Sequence, residues 1–283
     1  MGAAVIRLAA LTISATVMAS AASAETPLAR GSYLVNTIMT CANCHSPKGP
    51  PAAVAGKDFS GGLRFDTPGF DVTAPNITPD KDTGIGTWTA ADLKKLMLDG
   101  VRPNGVAIAN AMPTGFYGIL IPSDLDGIVA YLQSITPVGN KVPEPIYKHE
   151  VKRQIFPGAE KPVDPADLSD PVKRGHYLAT IGHCMECHTP LVKGAADFQN
   201  SLGKGGREFP GPWGVSTSRN ITSSKANGLG AWTDAEIKRA ITEGVDKDGN
   251  KLKGPMGFGY YAHMTDADLD AVIAWLRTVP ALD

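Results

Sequence analysis

Cys41-Ala42-Asn43-Cys44-His45 and Cys184-Met185-Glu186-Cys187-His188 decide the reading of this 283-residue chain. Both are C-x-x-C-H, and both sit inside a longer repetition. Arg30-Gly31-Ser32-Tyr33-Leu34 returns as Arg174-Gly175-His176-Tyr177-Leu178. Asn76-Ile77-Thr78, Trp88-Thr89, Gly100-Val101 and Asp124-Leu125 return 144 residues later, from Asn220, Trp232, Gly244 and Asp268. The cysteine motifs are 143 apart, so one residue is lost before the motif and regained after it. A period this long is a duplicated domain, not a solenoid.

Each copy reads as three helices joined by long loops. The first, near 27–39 and 171–182, leads into the cysteine motif. The second starts at a capping box, Thr89-x-x-Asp92 or Thr233-x-x-Glu236, in which hydroxyl and acid satisfy free amides. Gly100 and Gly244 stop it. The third carries apolar residues at helical spacing: Leu125, Ile128, Val129 and Leu132, then Leu269, Val272, Ile273 and Leu276. Ser123 and Thr265 are its expected caps. No strand alternation stands out, so the expected fold class is all-α. Gly31 and Gly175 fall within the first helix, where glycine costs about 1 kcal/mol relative to alanine. Either they admit another helix, with Tyr131 and Trp275 as partners, or the helix starts after them.

Residues 1–24 read as an export segment: Arg7, a short apolar run from Leu8 to Ala19, and Ala22-Ser23-Ala24 as the cleavage site. The run is too short and too rich in Ala, Ser and Thr to span a bilayer comfortably. The expected location is therefore the periplasm. The expected domains are 25–138 and 171–283, joined by a proline-rich linker over 139–170 in which Ile146, Tyr147, Ile155 and Phe156 pack on a domain surface. A formal charge of −1 gives no basic excess for nucleic acid. Gly and Pro make up 53 of the 283 residues, so much of the chain is loop. Loop-rich domains of this size need an added source of core.

C-x-x-C-H spacing supplies one, because it attaches haem. Two thiols on one helical turn reach the two vinyl groups of a porphyrin, and the adjacent imidazole lies under the iron. The four thiols could instead form one zinc site, which leaves both histidines without a use. They could form redox disulfides, which belong to an α/β context. Two motifs at equivalent places in a duplicated, exported chain favour two covalently bound haem c groups, held by Cys41, Cys44 and His45 and by Cys184, Cys187 and His188.

Each iron then needs a sixth ligand. Of eight methionines only Met112 and Met256 occupy equivalent positions, in loops flanked by Pro and Gly. The histidines outside the motifs, His149, His176, His183 and His263, are unmatched. The expected pairs are His45/Met112 and His188/Met256. His/Met ligation fills both faces of the iron and raises its potential, which favours outer-sphere electron transfer over substrate chemistry.

Taken together, Arg30-Gly31-x-Tyr33-Leu34, Cys41-x-x-Cys44-His45-Ser46-Pro47, Asn76-Ile77-Thr78-Pro79-Asp80, Gly84-Ile85-Gly86-x-Trp88-Thr89 and Met112-Pro113 resemble tandem class I c-type cytochromes. In particular, the chain resembles the cytochrome subunits of bacterial periplasmic dehydrogenases. The resemblance implies a dehydrogenase as electron donor, a respiratory acceptor such as another cytochrome or an oxidase, and membrane association through a partner. Many such subunits carry three haems and a C-terminal membrane helix. With two motifs and an end at Asp283, this chain departs from that pattern, which weakens the carry-over of membrane attachment. A dihaem enzyme, peroxidase-like or thiosulfate-oxidising, is the alternative. It would need a releasable ligand or a fifth cysteine. A sensor or structural module would need an output domain.

Further matched residues are expected at the haem pockets. Phe65 and Phe209 follow the glycine pairs Gly61-Gly62 and Gly205-Gly206, read as letting backbone approach the porphyrin. Trp88 and Trp232 either donate to a propionate or fill core. Asn76 and Asn220 orient a propionate or the methionine sulfur, or they shape their loops. Arg153 is either a solvated linker charge or a propionate partner.

Overall fold

The computed structural model describes residue 2, residues 25–47 and residues 54–283. Apart from residue 2, the expected export segment and its cleavage site lie outside the described residues.

In the first copy Thr26 caps helix α1 (Pro27–Tyr33), its hydroxyl accepting from the Ala29 amide at 3.1 Å. The helix continues as a turn of π-helix over Leu34–Ile38. Helix α2 (Cys41–His45) holds the first cysteine motif. Strands β1 (Arg64–Asp66) and β2 (Phe70–Thr73) follow, then α3 (Ala90–Asp99), a 3₁₀ turn at Thr114–Ile119, and α4 (Pro122–Ser134). Strand β3 (Ile146–Tyr147) lies in the connecting segment.

The second copy repeats this plan. Its elements are α5 (Pro171–Ile181), α6 (Cys184–His188), the short hairpin β4 (Leu191–Val192) and β5 (Ala195–Ala196), the hairpin β6 (Glu208–Gly211) and β7 (Gly214–Thr217), α7 (Asp234–Glu243), α8 (Phe258–Tyr261) and α9 (Asp266–Leu276).

Helix dominates, but the chain is not all-α. β1 and β2 pair antiparallel with Phe65 opposite Val72, β3 adds Tyr147 opposite Phe70, and β6 pairs β7 with Phe209 opposite Ser216. Strands of two to four residues are too short to show a period-two pattern, which explains why the sequence hides them. Each copy also has an additional helical turn between its second and third expected helices.

The capping boxes form as expected: Thr89 accepts from the Asp92 amide, Thr233 from the Glu236 amide, and each acid accepts from the threonine amide in return. Thr265 caps α9, but Ser123 caps nothing. α4 starts two residues earlier than that cap would set, at Pro122, whose fixed φ suits a first helical position.

The glycines of the first helices permit close crossing. A Cβ on Gly31 would lie 1.9 Å from the Gly127 carbonyl oxygen of α4, and one on Gly175 would lie 1.9 Å from that of Ala271 on α9. The helix therefore does not begin after the glycine. Trp275 does touch Gly175, its Cβ 2.9 Å from the built position, whereas Gly31 meets backbone and Tyr131 instead accepts from Asn36 at 2.8 Å. Because rigid backbone is the obstacle, we expect Gly175→Ala to destabilise the protein by about 2 kcal/mol despite alanine's better helix propensity. A thermal melt should show Tm lower by several degrees; an unchanged Tm would refute the crossing.

The two copies lock together reciprocally. Asp124 of α4, 3% exposed, takes two bonds from Arg30 at 3.0 Å and one from Tyr177 of the other copy at 2.7 Å. Asp268 of α9 takes Arg174 at 2.7 Å and Tyr33 of the other copy at 2.6 Å. Each arginine stays within its copy and each tyrosine crosses. Burial and the neighbouring carboxylate push the Tyr177 hydroxyl well above its ordinary pKa, so it remains a donor.

The connecting segment is part of this core rather than a free spacer. Phe156 is buried, stacked on Phe116 with centroids 4.9 Å apart and edge-on to Phe198 at 5.1 Å. Ile146 and Ile155 remain exposed. Arg153, half-buried, is tied to backbone: its guanidinium donates to the Leu98 carbonyl and, at 2.8 Å, to the Thr114 carbonyl, fastening the segment to the end of α3. Among the described residues no helix is long and apolar enough to cross a membrane.

Candidate functional site

Immediately before each cysteine motif the backbone turns through a left-handed residue that is not glycine, Thr40 at φ 48° and His183 at φ 44°. Such a residue costs about 1–3 kcal/mol and persists only where its surroundings enforce it. Its place in both copies sets each five-residue helix across the end of the helix before it.

No disulfide joins the two cysteines of either motif. Burial pushes the Cys41 thiol up to about 12 and the Cys184 thiol up to about 11. Reactive disulfide-exchanging cysteines have depressed values. Among the described residues no three His, Cys, Asp or Glu side chains converge in a way that could hold a metal ion, so the four thiols are not gathered into one tetrahedral site.

His45 is buried and His188 half-buried, each with its ring against a backbone carbonyl. Nδ1 of His45 lies 2.8 Å from the Pro75 carbonyl oxygen, and Nδ1 of His188 lies 2.7 Å from that of Arg219. A carbonyl can only accept, so Nδ1 carries the proton and Nε2 keeps a free lone pair. Burial lowers both pKa values and keeps the rings neutral. This is how a ligating imidazole is oriented: the outer hydrogen bond fixes tautomer and ring plane.

The histidines' own backbone carbonyls are held by the first glycine of each pair. Gly61, at φ 87°, donates its amide to the His45 carbonyl at 2.6 Å, and a Cβ there would strike the Ala74 oxygen at 2.6 Å. Gly205, at φ 77°, donates to the His188 carbonyl at 2.7 Å and is hemmed in by Ser218 and Arg219. At these two glycines the histidine loop meets the protein's own backbone, a close approach of chain to chain that a Cβ would prevent.

Cys41, Cys44, His45 and Met112 line the same continuous cavity as Cys184, Cys187, His188 and Met256. Its volume is about 2050 Å³, well above the roughly 300–1,000 Å³ of an ordinary small-ligand pocket. Phe65, Phe209, Trp88 and Trp232 are on its walls. So is Asn43, between the first two cysteines, whose side-chain amide reaches the Pro255 carbonyl beside Met256 at 3.2 Å and ties one copy's attachment motif to the other's methionine loop. The donor set fits two covalently held haems: paired thiols, an imidazole with one nitrogen spoken for, and a large, mainly apolar hollow that the short helices leave unfilled.

Asn76 and Asn220 serve their loops. The Asn76 side chain accepts from the Thr78 amide at 2.9 Å and donates to the Thr83 hydroxyl and the Val138 carbonyl. Asn220 accepts from the Thr222 amide and donates to the Leu282 carbonyl. These bonds close each loop over the chain that leaves the last helix of its copy. Sequence reasoning missed the carbonyls of Pro75 and Arg219, which no side chain marks, although both immediately precede the repeated Asn-Ile-Thr. It also gave no role to Tyr33, Tyr177, Asp124 and Asp268, although each recurs at the shift of 144.

The cytochrome c family profile matches residues 28–136 and again 172–280. The chain belongs to the cytochrome c family. Its relatives include the gluconate 2-dehydrogenase cytochrome c subunit of Pantoea cypripedii, 30% identical over 96% of this chain and 64% of that subunit. The diheme cytochrome c-type of Cereibacter sphaeroides is 30% identical over 86% of this chain and 83% of the relative. The fructose dehydrogenase cytochrome subunit of Gluconobacter japonicus is 29% identical over 92% and 54% respectively. This cytochrome thus spans less than two thirds of the length of the dehydrogenase subunits it matches. Cytochrome c domains imply covalent haem c, and the two C-x-x-C-H motifs supply its attachment points.

Proposed function

We propose that this chain is a periplasmic dihaem electron carrier built from domains 25–138 and 171–283, with 139–170 joining them. It takes electrons from a dehydrogenase and passes them toward a respiratory acceptor, another cytochrome or an oxidase. When bound, haem c supplies reversible one-electron exchange. Cys41 and Cys44, and Cys184 and Cys187, hold the two groups by thioethers. His45 and His188 would each hold an iron through Nε2. Met112 and Met256 would supply its other protein ligand, which favours electron exchange over substrate chemistry. The reading rests most on the matched histidine geometry: in both copies a backbone carbonyl claims Nδ1, which suits an imidazole committed to a metal. The printed roles of the relatives support the donor class.

Met112→Ala and Met256→Ala test the axial pairs. Each variant should keep two covalent haems by intact mass. Each should lose half of the methionine-to-iron charge-transfer band in the oxidised protein, and one of the two potentials should fall. A variant with an unchanged spectrum would place that ligand elsewhere. A high-spin signal from either haem of the unmodified protein would favour the enzymatic alternative.

A further inference from the structure

The two methionine loops occupy the same place in their copies, yet different parts of the chain hold them. The connecting segment holds the first. The Asn110 side-chain amide donates to the Lys152 carbonyl at 2.7 Å, Arg153 donates to the Thr114 carbonyl at 2.8 Å, and the Phe156 amide donates to the Gly115 carbonyl at 3.0 Å. Met112 is also tied within its own turn, its amide donating to the Ala109 carbonyl at 3.0 Å and its carbonyl accepting from the Thr114 amide at 2.8 Å. Met256 forms neither of these turn bonds among the described residues. Its loop leans on the first copy. Asn43 donates to the carbonyl of Pro255, one residue before Met256, at 3.2 Å. Gly257, one residue after it, sits on Thr40, where a glycine Cβ would lie 3.3 Å from the threonine Cγ2. Helix α8, which follows, packs on the Leu34–Ile38 turn of the first copy. Met256 is thus bracketed on both sides by the segment that opens the first attachment motif. The relation is not returned. Glu186 stands in the second motif where Asn43 stands in the first. A carboxylate cannot donate to a carbonyl, and Oε2 of Glu186 lies 3.1 Å from Nδ1 of His183 in its own copy.

We infer that Asn43 is a positioning residue for Met256, so that the first copy's attachment motif governs the axial ligation of the second copy's haem. The inference rests on the His/Met reading above. Asn43 acts through the Pro255 carbonyl, fixing the backbone from which the Met256 thioether would reach its iron. A ligand whose loop is already held is presented without the entropy cost of ordering that loop, and once released it competes less well with an added ligand. The second haem's ligand set then depends on the docking of the two copies, whereas the first's depends on the connecting segment.

The test displaces methionine with imidazole in the oxidised holoprotein and follows the methionine-to-iron charge-transfer band. With Met112→Ala the band reports the second haem alone, and with Met256→Ala the first. In the Met112→Ala protein, Asn43→Ala should lower the imidazole concentration that halves the band roughly fivefold, the worth of one net hydrogen bond. Asn43→Asp, which keeps the size and loses the donor, should do at least as much. Asn43→Gln, which can still donate, should recover most of the loss. In the Met256→Ala protein, Asn43→Ala should leave the midpoint largely unchanged, although Asn43 belongs to that haem's own motif, while Asn110→Ala should lower it. Intact mass should show two haems in every variant. A local defect in the first motif would do the opposite, weakening the first haem and sparing the second. That result, equal effects at the two haems, an unchanged midpoint at the second, or loss of the first haem from the Asn43 variants would each overturn the inference. A protein that carries both methionines and shows no charge-transfer band would instead overturn the His/Met reading, and this inference with it.

Discussion

Replacing Cys184 and Cys187 together by alanine should give a protein with one covalent haem and an unfolded C-terminal copy. α7 and α9 turn Ile237 and Val272 toward the shared cavity, with Leu229 on the loop before α7. Nothing in the chain can fill that space. At about 24 cal/mol per Å³, an apolar cavity of even a tenth of the observed 2050 Å³ costs about 5 kcal/mol, as much as a whole domain's marginal stability. Water entering the hollow does not restore the loss, because the lining is mainly apolar. The damage should also cross the interface: Tyr33 loses Asp268, and Asp124 loses the buried hydroxyl of Tyr177. We therefore expect intact mass to show a single haem, limited proteolysis to remove the second copy, and the surviving copy to melt below its temperature in the unmodified protein. Two haems retained by the double variant would overturn the attachment assignment.

What the sequence made legible, and what it hid, follows from the range of each interaction. Helix starts and stops are local. The Thr89 and Thr233 boxes and the Gly100 and Gly244 stops, with φ 69° and 65°, could be read within a few residues. Ser123 failed because Pro122 competes for the same turn and begins the helix first. The duplication exposed every residue that matters twice, including Met112 and Met256 on the cavity wall. It could not say what those residues touch. Gly61 and Gly205 were legible as special, but not their backbone neighbours, which a loop about a dozen residues on brings in. Phe156 was expected to pack and does, but its partners, like those of Arg153, were hidden for the opposite reason. They occur once, in a proline-rich stretch that composition describes as extended, and only tertiary contact with Thr114 and Phe116 gives them work.

Asp124→Ala should be the most damaging single change at the junction of the copies, and more damaging than Asp268→Ala. The carboxylates look equivalent, each bound by its own arginine and by the other copy's tyrosine, but the groups they would abandon differ. Without Asp124, Arg30, its side chain 20% exposed, keeps a charge with little access to water, and the fully buried Tyr177 hydroxyl loses its acceptor. Breaking a buried pair from one side costs about 3–5 kcal/mol. Without Asp268, Arg174, its side chain 39% exposed, can turn to solvent, and the half-buried Tyr33 hydroxyl still meets the Thr265 amide. That loss should be nearer the roughly 1.5–3 kcal/mol of a hydrogen bond to a charged group. Denaturant melts of the two holoprotein variants should keep this order. Tyr177→Phe isolates the crossing bond: combined with Asp124→Ala it should cost clearly less than the two separate losses together, because both remove the same contact. Equal effects of the two aspartate variants, or strict additivity with Tyr177→Phe, would mean that the copies are held by apolar packing alone and that the repeated Arg-Gly-x-Tyr serves each domain separately.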